Sequence, residues 1–377
     1  MKYNSFYSAP KHLRRLVCGH ILIVLFLMLS ACNSEDSYLI ARAEIERIGL
    51  KYRAPDFIEQ VKSGNVKIVK LFLAAGMSPN QKSGWRPVSA LTHAASEGQT
   101  EVAKVLLQAG ANVNEKADRS GVTPLEAAAF NGHADVAKLL IDSGANVHIV
   151  GPPVEGGAGP ILITASCTFT DDQKLRHYLY ERGEIASKVY GKEKNHAQYK
   201  KLRKMFEPDR LELVDALLSA GADVNKRDKR NGNTALTSTA GCGYTSIGRV
   251  LYNAGADINA VNKFGATALS IAAGLGHVDF VEFLLEIKQV DINKGTPLIS
   301  ALKGNYELYM AIDNDRVEIV KQLLKAGIDI TQRSANGESA LELAKKNGLI
   351  KIHDLLKIKV EGKYKPQNNG SETMPVR

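Results

Sequence analysis

The chain has 377 residues, 44% of them apolar, which permits a sizeable buried core and argues against a largely disordered polymer. Lysine and arginine outnumber aspartate and glutamate by 49 to 40, but four of those bases and no acid fall in the first 31 residues, leaving 45 against 40. So mild a surplus does not point to nucleic acid, while one tryptophan and four cysteines exclude an aromatic-rich lectin surface and a disulfide-dense scaffold.

At the N-terminus, Lys11, Arg14 and Arg15 precede an apolar stretch from Leu16 to Leu29, and Ser30, Ala31 and Cys32 follow. The stretch is short for a membrane span and suits a secretory leader with a charged flank. Leu29-Ser30-Ala31-Cys32 resembles a bacterial lipobox. In lipoproteins of that type the cysteine sulfur receives a diacylglycerol and becomes the new N-terminus. Residues 1–31 are therefore expected to be a signal peptide and Cys32 the lipidation site, with palmitate-type acyl chains holding the protein to the membrane. An ordinary cleaved signal or an uncleaved anchor is the alternative. By analogy with Gram-negative sorting, Asn33 favours the periplasmic side of the outer membrane. Initiation at Met28 would give a cytosolic form. No later stretch approaches the roughly 18 apolar residues that a span needs.

After a linker or capping helix over 32–50, the body repeats itself. VAKVLLQAGANVN at Val102–Asn114 returns as VAKLLIDSGANVH at Val136–His148, LVDALLSAGADVN at Leu213–Asn225 and IGRVLYNAGADIN at Ile247–Asn259. Leu91, Leu125, Leu236, Leu269, Leu308 and Leu341 each precede such a marker by eleven residues. Within that interval fit a short helix, a polar turn such as Asn131-Gly132-His133, and the start of a second helix with a Val-x-x-Leu-Leu stripe. A glycine such as Gly110 or Gly144 then supplies the left-handed cap.

Thr123-Pro124-Leu125, Asn131-Gly132-His133 and Gly144-Ala145-Asn146-Val147 are similar to the ankyrin repeat, and the resemblance covers about residues 51–358. It implies an all-α repeat solenoid of stacked helix pairs with β-hairpin fingers, counted here as about eight units. Residues 359–377 form a polar tail expected to be disordered. Pro124 fits a first helical turn, where no N–H is missed.

Departures from the pattern mark what the scaffold carries. In the fourth unit Leu162 stands 51 residues before Leu213, so about 40 extra residues, 169–208, lie between its helices. This insert, read as helical, holds ten bases and six acids between Asp171 and Glu207. Tyr178, Tyr180, Tyr190 and Tyr199 alternate there with Arg176, Arg182 and Arg203, residue types favoured at interface hot spots. It is either a partner-binding arm or a solvated hairpin whose tyrosines pack on neighbouring units. The glycine-rich run at 151–159 lacks a phosphate-loop Gly-Lys-Ser/Thr and reads as loop. Thr296-Pro297-Leu298 mimics a unit start, but the eleven-residue interval favours Leu308.

No zinc-protease, Cys-x-x-Cys, nucleophile-elbow or Walker motif is present, so neither enzyme, cofactor nor metal site is expected. His133 and His277 sit at unit turns, where the resemblance assigns histidine a structural hydrogen bond, and His93 is read as structural too. Cys167 and Cys242 are expected buried and reduced, since equivalent positions of adjacent units usually lie beyond the roughly 4.4–6.8 Å Cα separation of a disulfide. A Cys167–Cys242 bridge is the alternative that an oxidising compartment permits.

The expected function is binding of a protein partner by a monomer or a heterodimer with that partner, with Trp85, Arg119, Arg227, Lys229, Arg230, Lys263 and Phe264 near finger tips as contact candidates. Ankyrin lipoproteins of this shape resemble immunity proteins paired with secreted antibacterial effectors, often phospholipases or other lipases. A periplasmic scaffold or stress-protection factor is one competing reading; binding of anionic lipid by the basic insert is another.

Overall fold

A computed structural model of the chain describes residues 34–84, 87–117, 121–148, 159, 161, 164, 194–303 and 313–362. Helix α1 (Ser34–Arg47) comes first, and the hairpin of α2 (Ala54–Lys62) and α3 (Val66–Ala74) follows. A finger joins β1 (Lys82–Ser83) antiparallel to β2 (Val88–Ser89), Lys82 opposite Ser89. Then α4 (Ala90–Ser96) pairs with α5 (Thr100–Gln108), and α6 (Pro124–Asn131) with α7 (Ala134–Asp142). Ile161 and Thr164 are helical and buried, and the long α8 (Lys194–Ser219) follows. Further hairpins are α9 (Ala235–Cys242) with α10 (Thr245–Asn253), α11 (Ala268–Leu275) with α12 (Val278–Leu285), α13 (Pro297–Lys303) with α14 (Asp313–Lys325), and α15 (Ala340–Lys346) with α16 (Ile350–Val360).

Local chemistry starts and stops these helices. Thr123, Thr234, Thr267 and Ser339 each accept from the backbone N–H three residues on, while the residue there returns the bond in a capping box. For α6 this places Glu126 at 2% exposure, its Oε2 accepting from the Thr123 N–H at 3.0 Å. At the far end Gly132 turns the chain with φ 74°.

The hairpins stack in two layers, first helices against first helices and second against second. First helices meet through small side chains: Ala94, Ala95, Ala128, Ala129, Ala272 and Ala273 are fully buried. Second helices contribute the bulk through Leu106, Leu140, Leu217, Leu251 and Leu284, also fully buried. Each such leucine contributes about 1.5–3 kcal/mol through burial. One unit has too little apolar neighbourhood of its own, so the stack is cooperative. Helix α1 closes the first end by burying Ala41 and Ile45, with the Arg42 guanidinium 4.3 Å from the centre of the Tyr52 ring.

Side chains at the helix turns tie each unit to the one before. Gln99 Nε2 donates to the Lys62 carbonyl at 3.0 Å, and Asn347 Nδ2 to that of Leu302 at 3.0 Å. His133 Nε2 lies 3.0 Å from the Ser96 carbonyl and His277 Nε2 3.1 Å from that of Gly241, each in the place of a donor. This is the structural role expected of both histidines. The turn glycine facing such a ring has two reasons to be glycine. A Cβ on Gly98, at φ 70°, would lie 2.7 Å from His133 Nδ1.

Two expectations are corrected. The seventh unit begins at Thr296-Pro297-Leu298 and not at Leu308: α13 buries Leu298, Ile299, Ala301 and Leu302 and packs between α11 and α15. Leu308 itself lies outside the described residues. Proline at the first turn and a buried leucine outweighed a fixed interval, because spacing between helices is free to grow as a loop. The second concerns how the insert ends: residues 194–208 are not set apart by a break but run on into the second helix of the fourth unit as one helix, α8, with Pro208 inside it.

Candidate functional site on the finger tips

The finger bases are fixed by a ladder of asparagines. Oδ1 of Asn80, Asn114, Asn225, Asn259 and Asn293 accepts a backbone N–H of the next finger, at 2.7–2.9 Å. Within each finger, Asp223, Asp257, Asp291 or Asp329 accepts from the N–H two residues on, at 2.8–3.0 Å, a local turn that asparagine and aspartate favour. Hydrogen bonds from Thr331 hold the Asp329 carboxyl below its ordinary range. These carboxylates serve the backbone and form no acid–base pair.

Beyond the ladder the fingers after α8 and α10 are cross-laced. Arg227 Nη1 donates to the carbonyls of Gly232, at 3.1 Å, and Val261. Lys263 Nζ donates to the Lys229 carbonyl at 2.6 Å, and its backbone N–H to that of Asn231 at 2.8 Å. Asn262 Oδ1 accepts from the N–H groups of Phe264 and Ala266, both at 3.0 Å, while its Nδ2 donates to Asn233 Oδ1 at 3.0 Å. Gly265, at φ 73°, completes the turn. The result is a stiff double tip that presents Phe264 at 76% exposure.

These two fingers and the next one carry the exposed bases Lys226, Arg227, Lys229, Arg230, Lys263 and Lys294. The nearby carboxylate of Asp228 is engaged by the N–H groups of Asn231, at 2.6 Å, and Asn233, at 2.7 Å. Among the described residues no carboxylate forms an ion pair with Lys226, Lys229, Arg230 or Lys263. An exposed aromatic on a rigid turn, on fingers that also carry exposed cations, combines residue types that recur at protein interfaces.

The sequence candidates divide by location. Arg227, Arg230 and Phe264 come together on this tip, though Arg227 is partly committed to holding it. Trp85, between β1 and β2 in sequence, lies outside the described residues, as does Arg119. So do Cys32, Cys167, Tyr178, Tyr180, Arg182 and Tyr190. Tyr199 and Arg203 fall within α8, their side chains outside the described set. The root of that segment is at the helix-turn end: Arg210, 1% exposed, donates through Nη1 to the Thr164 carbonyl at 2.9 Å, and Glu207 Oε1 accepts from the Ser246 N–H at 2.8 Å. Finger tip and insert root thus stand at opposite ends of the hairpins, separated by a helix of about 12 Å plus the finger. The structure does not join them into one surface.

Two features were missed from sequence. The exposed lysines Lys226 and Lys294 add cations to the fingers, a signal present in the runs Lys226-Arg227-Asp228-Lys229-Arg230 and Asn293-Lys294-Gly295. Cys242, expected reduced, is 3% exposed and disulfide-bonded. His93 is neutral: burial, with Lys62 nearby, lowers its pKa to about 4. Among the described residues no cluster of histidine, cysteine and carboxylate side chains could hold a metal, and no helix is long and apolar enough to cross a membrane.

Comparison with known proteins agrees with this architecture. The family described as ankyrin repeats (3 copies) matches residues 57–150 and 205–296. YahD of Escherichia coli strain K12, an ankyrin repeat protein by name, is 32% identical over 152 residues, 38% of this chain and 71% of its own. Alpha-latrocrustotoxin-Lt1a of Latrodectus tredecimguttatus is 30% identical over 36% of this chain, but that match spans only 9% of the toxin. The crystal structure of the human ASB11 ankyrin repeat domain superposes with a TM-score of 0.50 at 22% identity, covering 70% of this chain and 98% of that one, a likeness of fold alone. Repeats of this kind imply protein partners, and nothing in the comparisons points to catalysis. The chain belongs to the ankyrin-repeat proteins.

Proposed function

We propose that this chain is an exported, lipid-anchored binding protein that neutralises a secreted antibacterial effector, such as a phospholipase, by covering its surface. The observation that carries the binding part is Phe264, held 76% exposed on a hydrogen-bonded tip whose two fingers also carry exposed cations. An aromatic side chain left in water on a rigid turn forgoes about 1.5–3 kcal/mol that burial would return, and contact with a partner is the means of recovering it. The leader-like segment and Cys32 support export and acylation, and a disulfide at Cys242 suits an oxidising compartment. In this reading the stack comprises eight units, with 169–208 inserted in the fourth as a specificity arm.

Loss of an immunity protein exposes a cell to its own kin. A strain deleted for this chain should therefore be killed in contact with its parent. Wild-type protein should restore survival, whereas Phe264→Ala with Arg230→Glu, or Cys32→Ala, should not. Equal survival of the deletion strain beside its parent refutes the immunity role. Full rescue by the finger variant refutes the site. Rescue and fatty-acid labelling unchanged by Cys32→Ala refute the anchor.

A further inference from the structure

Charge is settled differently along the row of fingers. On the first finger Lys82 Nζ lies 2.7 Å from Glu115 Oε1, and on the last Arg333 Nη1 lies 3.7 Å from Glu342 Oε2. The fingers after α8, α10 and α12 also carry carboxylates, but backbone donors engage them. Asp223 accepts from the Asn225 N–H at 2.9 Å, and Asp257 and Asp291 from those of Asn259 and Asn293 at 3.0 Å. Asp228 spends both oxygens on Asn231 and Asn233. Residues 226–232 and 261–265 together hold five bases and this one acid. Among the described residues none of the five is in an ion pair.

The fold brings these bases together from two units. Lys263 Nζ donates to the Lys229 carbonyl at 2.6 Å, so its ammonium stands at the peptide that joins Lys229 to Arg230. Arg227 Nη1 spans the same gap, donating to the carbonyls of Gly232 and Val261. The tips pack so closely that a Cβ on Gly232 would lie 3.1 Å from Lys263 Cγ. Gathering like charges without a counter-charge costs stability, weakly so in water. A surface of carboxylates would turn that repulsion into attraction. Because backbone carbonyls already fix Arg227 and Lys263, little side-chain freedom is lost on docking. Such fixed positions suit a folded or peptide partner; a bilayer surface is met by mobile lysines and needs no set geometry.

We infer that the double tip of the fingers after α8 and α10 recognises an acidic polypeptide, with Arg227, Lys229, Arg230 and Lys263 meeting carboxylates and Phe264 an apolar group among them. This rests on the reading of the finger tips as the binding end and adds the chemistry of the partner. The exposed Lys229 and Arg230 steer the encounter and set its salt dependence, since exposed charges act mainly on the association rate. Phe264, 76% exposed, acts after contact and holds the complex together.

The test uses the full chain and two fluorescent peptides, one of aspartate and glutamate around a central leucine, the other its asparagine and glutamine counterpart. At an ionic strength of about 0.01 M the acidic peptide should bind at least about tenfold more tightly, and at about 1 M the difference should vanish. Lys229→Glu/Arg230→Glu should abolish the preference. Lys67→Glu/Lys70→Glu, the same charge change on exposed positions of α3, should keep it within about twofold. Equal binding of the two peptides, or equal loss in both variants, overturns the inference. So does a chain that prefers phosphatidylglycerol over phosphatidylcholine vesicles through Lys229 and Arg230 while ignoring the acidic peptide. The survival assay separates the two readings. If Lys229→Glu/Arg230→Glu fails to restore survival yet the peptides bind alike, the tip binds a partner that is not acidic and this inference fails. If the peptides separate and that variant restores survival fully, the inference stands and the immunity role of the tip fails.

Discussion

At the helix-turn end of the stack, Gln99, His133, His277 and Asn347 each commit a side chain to a carbonyl of the preceding unit. At the finger end, the ladder asparagines do the same work below the tip, but Lys226, Lys229 and Arg230 are exposed above it and Phe264 stands in water. The same fold thus has one end where polar groups are internally satisfied and one where part of them is left over. Groups that a neighbouring unit already satisfies explain themselves as structure. An exposed aromatic on a rigid turn does not, and the proposed binding site on the finger tips rests on that contrast.

The contrast can be broken most sharply by Gly98→Val. The new side chain would combine an unfavourable positive φ with collision against His133, so a loss of about 2–4 kcal/mol in urea unfolding is expected. A loss under about 1 kcal/mol would mean that the turn end yields easily and is not the rigid half. The finger end should respond in the opposite sense. Phe264→Ala should change stability by no more than about 0.5 kcal/mol yet weaken partner binding by about 2 kcal/mol, roughly thirtyfold. Titration calorimetry with the purified partner measures this, and unchanged affinity would dissolve the distinction between the two ends.

A smaller effect sharpens the structural side. Thr123→Ala removes the cap of α6 and the hydroxyl that donates to the buried Glu126 carboxylate, for an expected loss of about 1 kcal/mol. Smallest is a pH effect at His93. Its folded pKa, about 4, lies below the ordinary 6.5, so the folded chain binds fewer protons than the unfolded one between those values. Its contribution to stability is therefore full above pH 6.5 and declines as pH falls to 4. Unfolding free energies measured at pH 7 and pH 5 should differ in the unmutated chain by more than in His93→Gln.

Repetition made the architecture legible. A helix hairpin of about thirty residues exposes its apolar stripe unless a copy lies beside it, so a recurring Val-x-x-Leu-Leu and a capping glycine specify both the unit and its stacking. Thr123-Pro124-Leu125 announced a helix start by local chemistry alone, since cap and proline act within one turn. Phe264 was legible as a finger-tip residue from its place between Asn262 and Gly265, but its exposure was not.

Other features depended on contacts between units. Leu298 and Leu308 both fit a local pattern, and only packing against α11 and α15 selected Leu298. The reach of Asn131 to Ser96 arises from how closely the ends of two first helices approach. The separation of the insert root from the cationic tip is likewise a matter of hairpin direction. Sequence determined the unit, its caps and its order, because those follow from interactions spanning a few residues. Tertiary structure decided which helix fills an ambiguous slot, which side chains cross between units and which remain in water, because those outcomes depend on groups thirty or more residues apart in the chain.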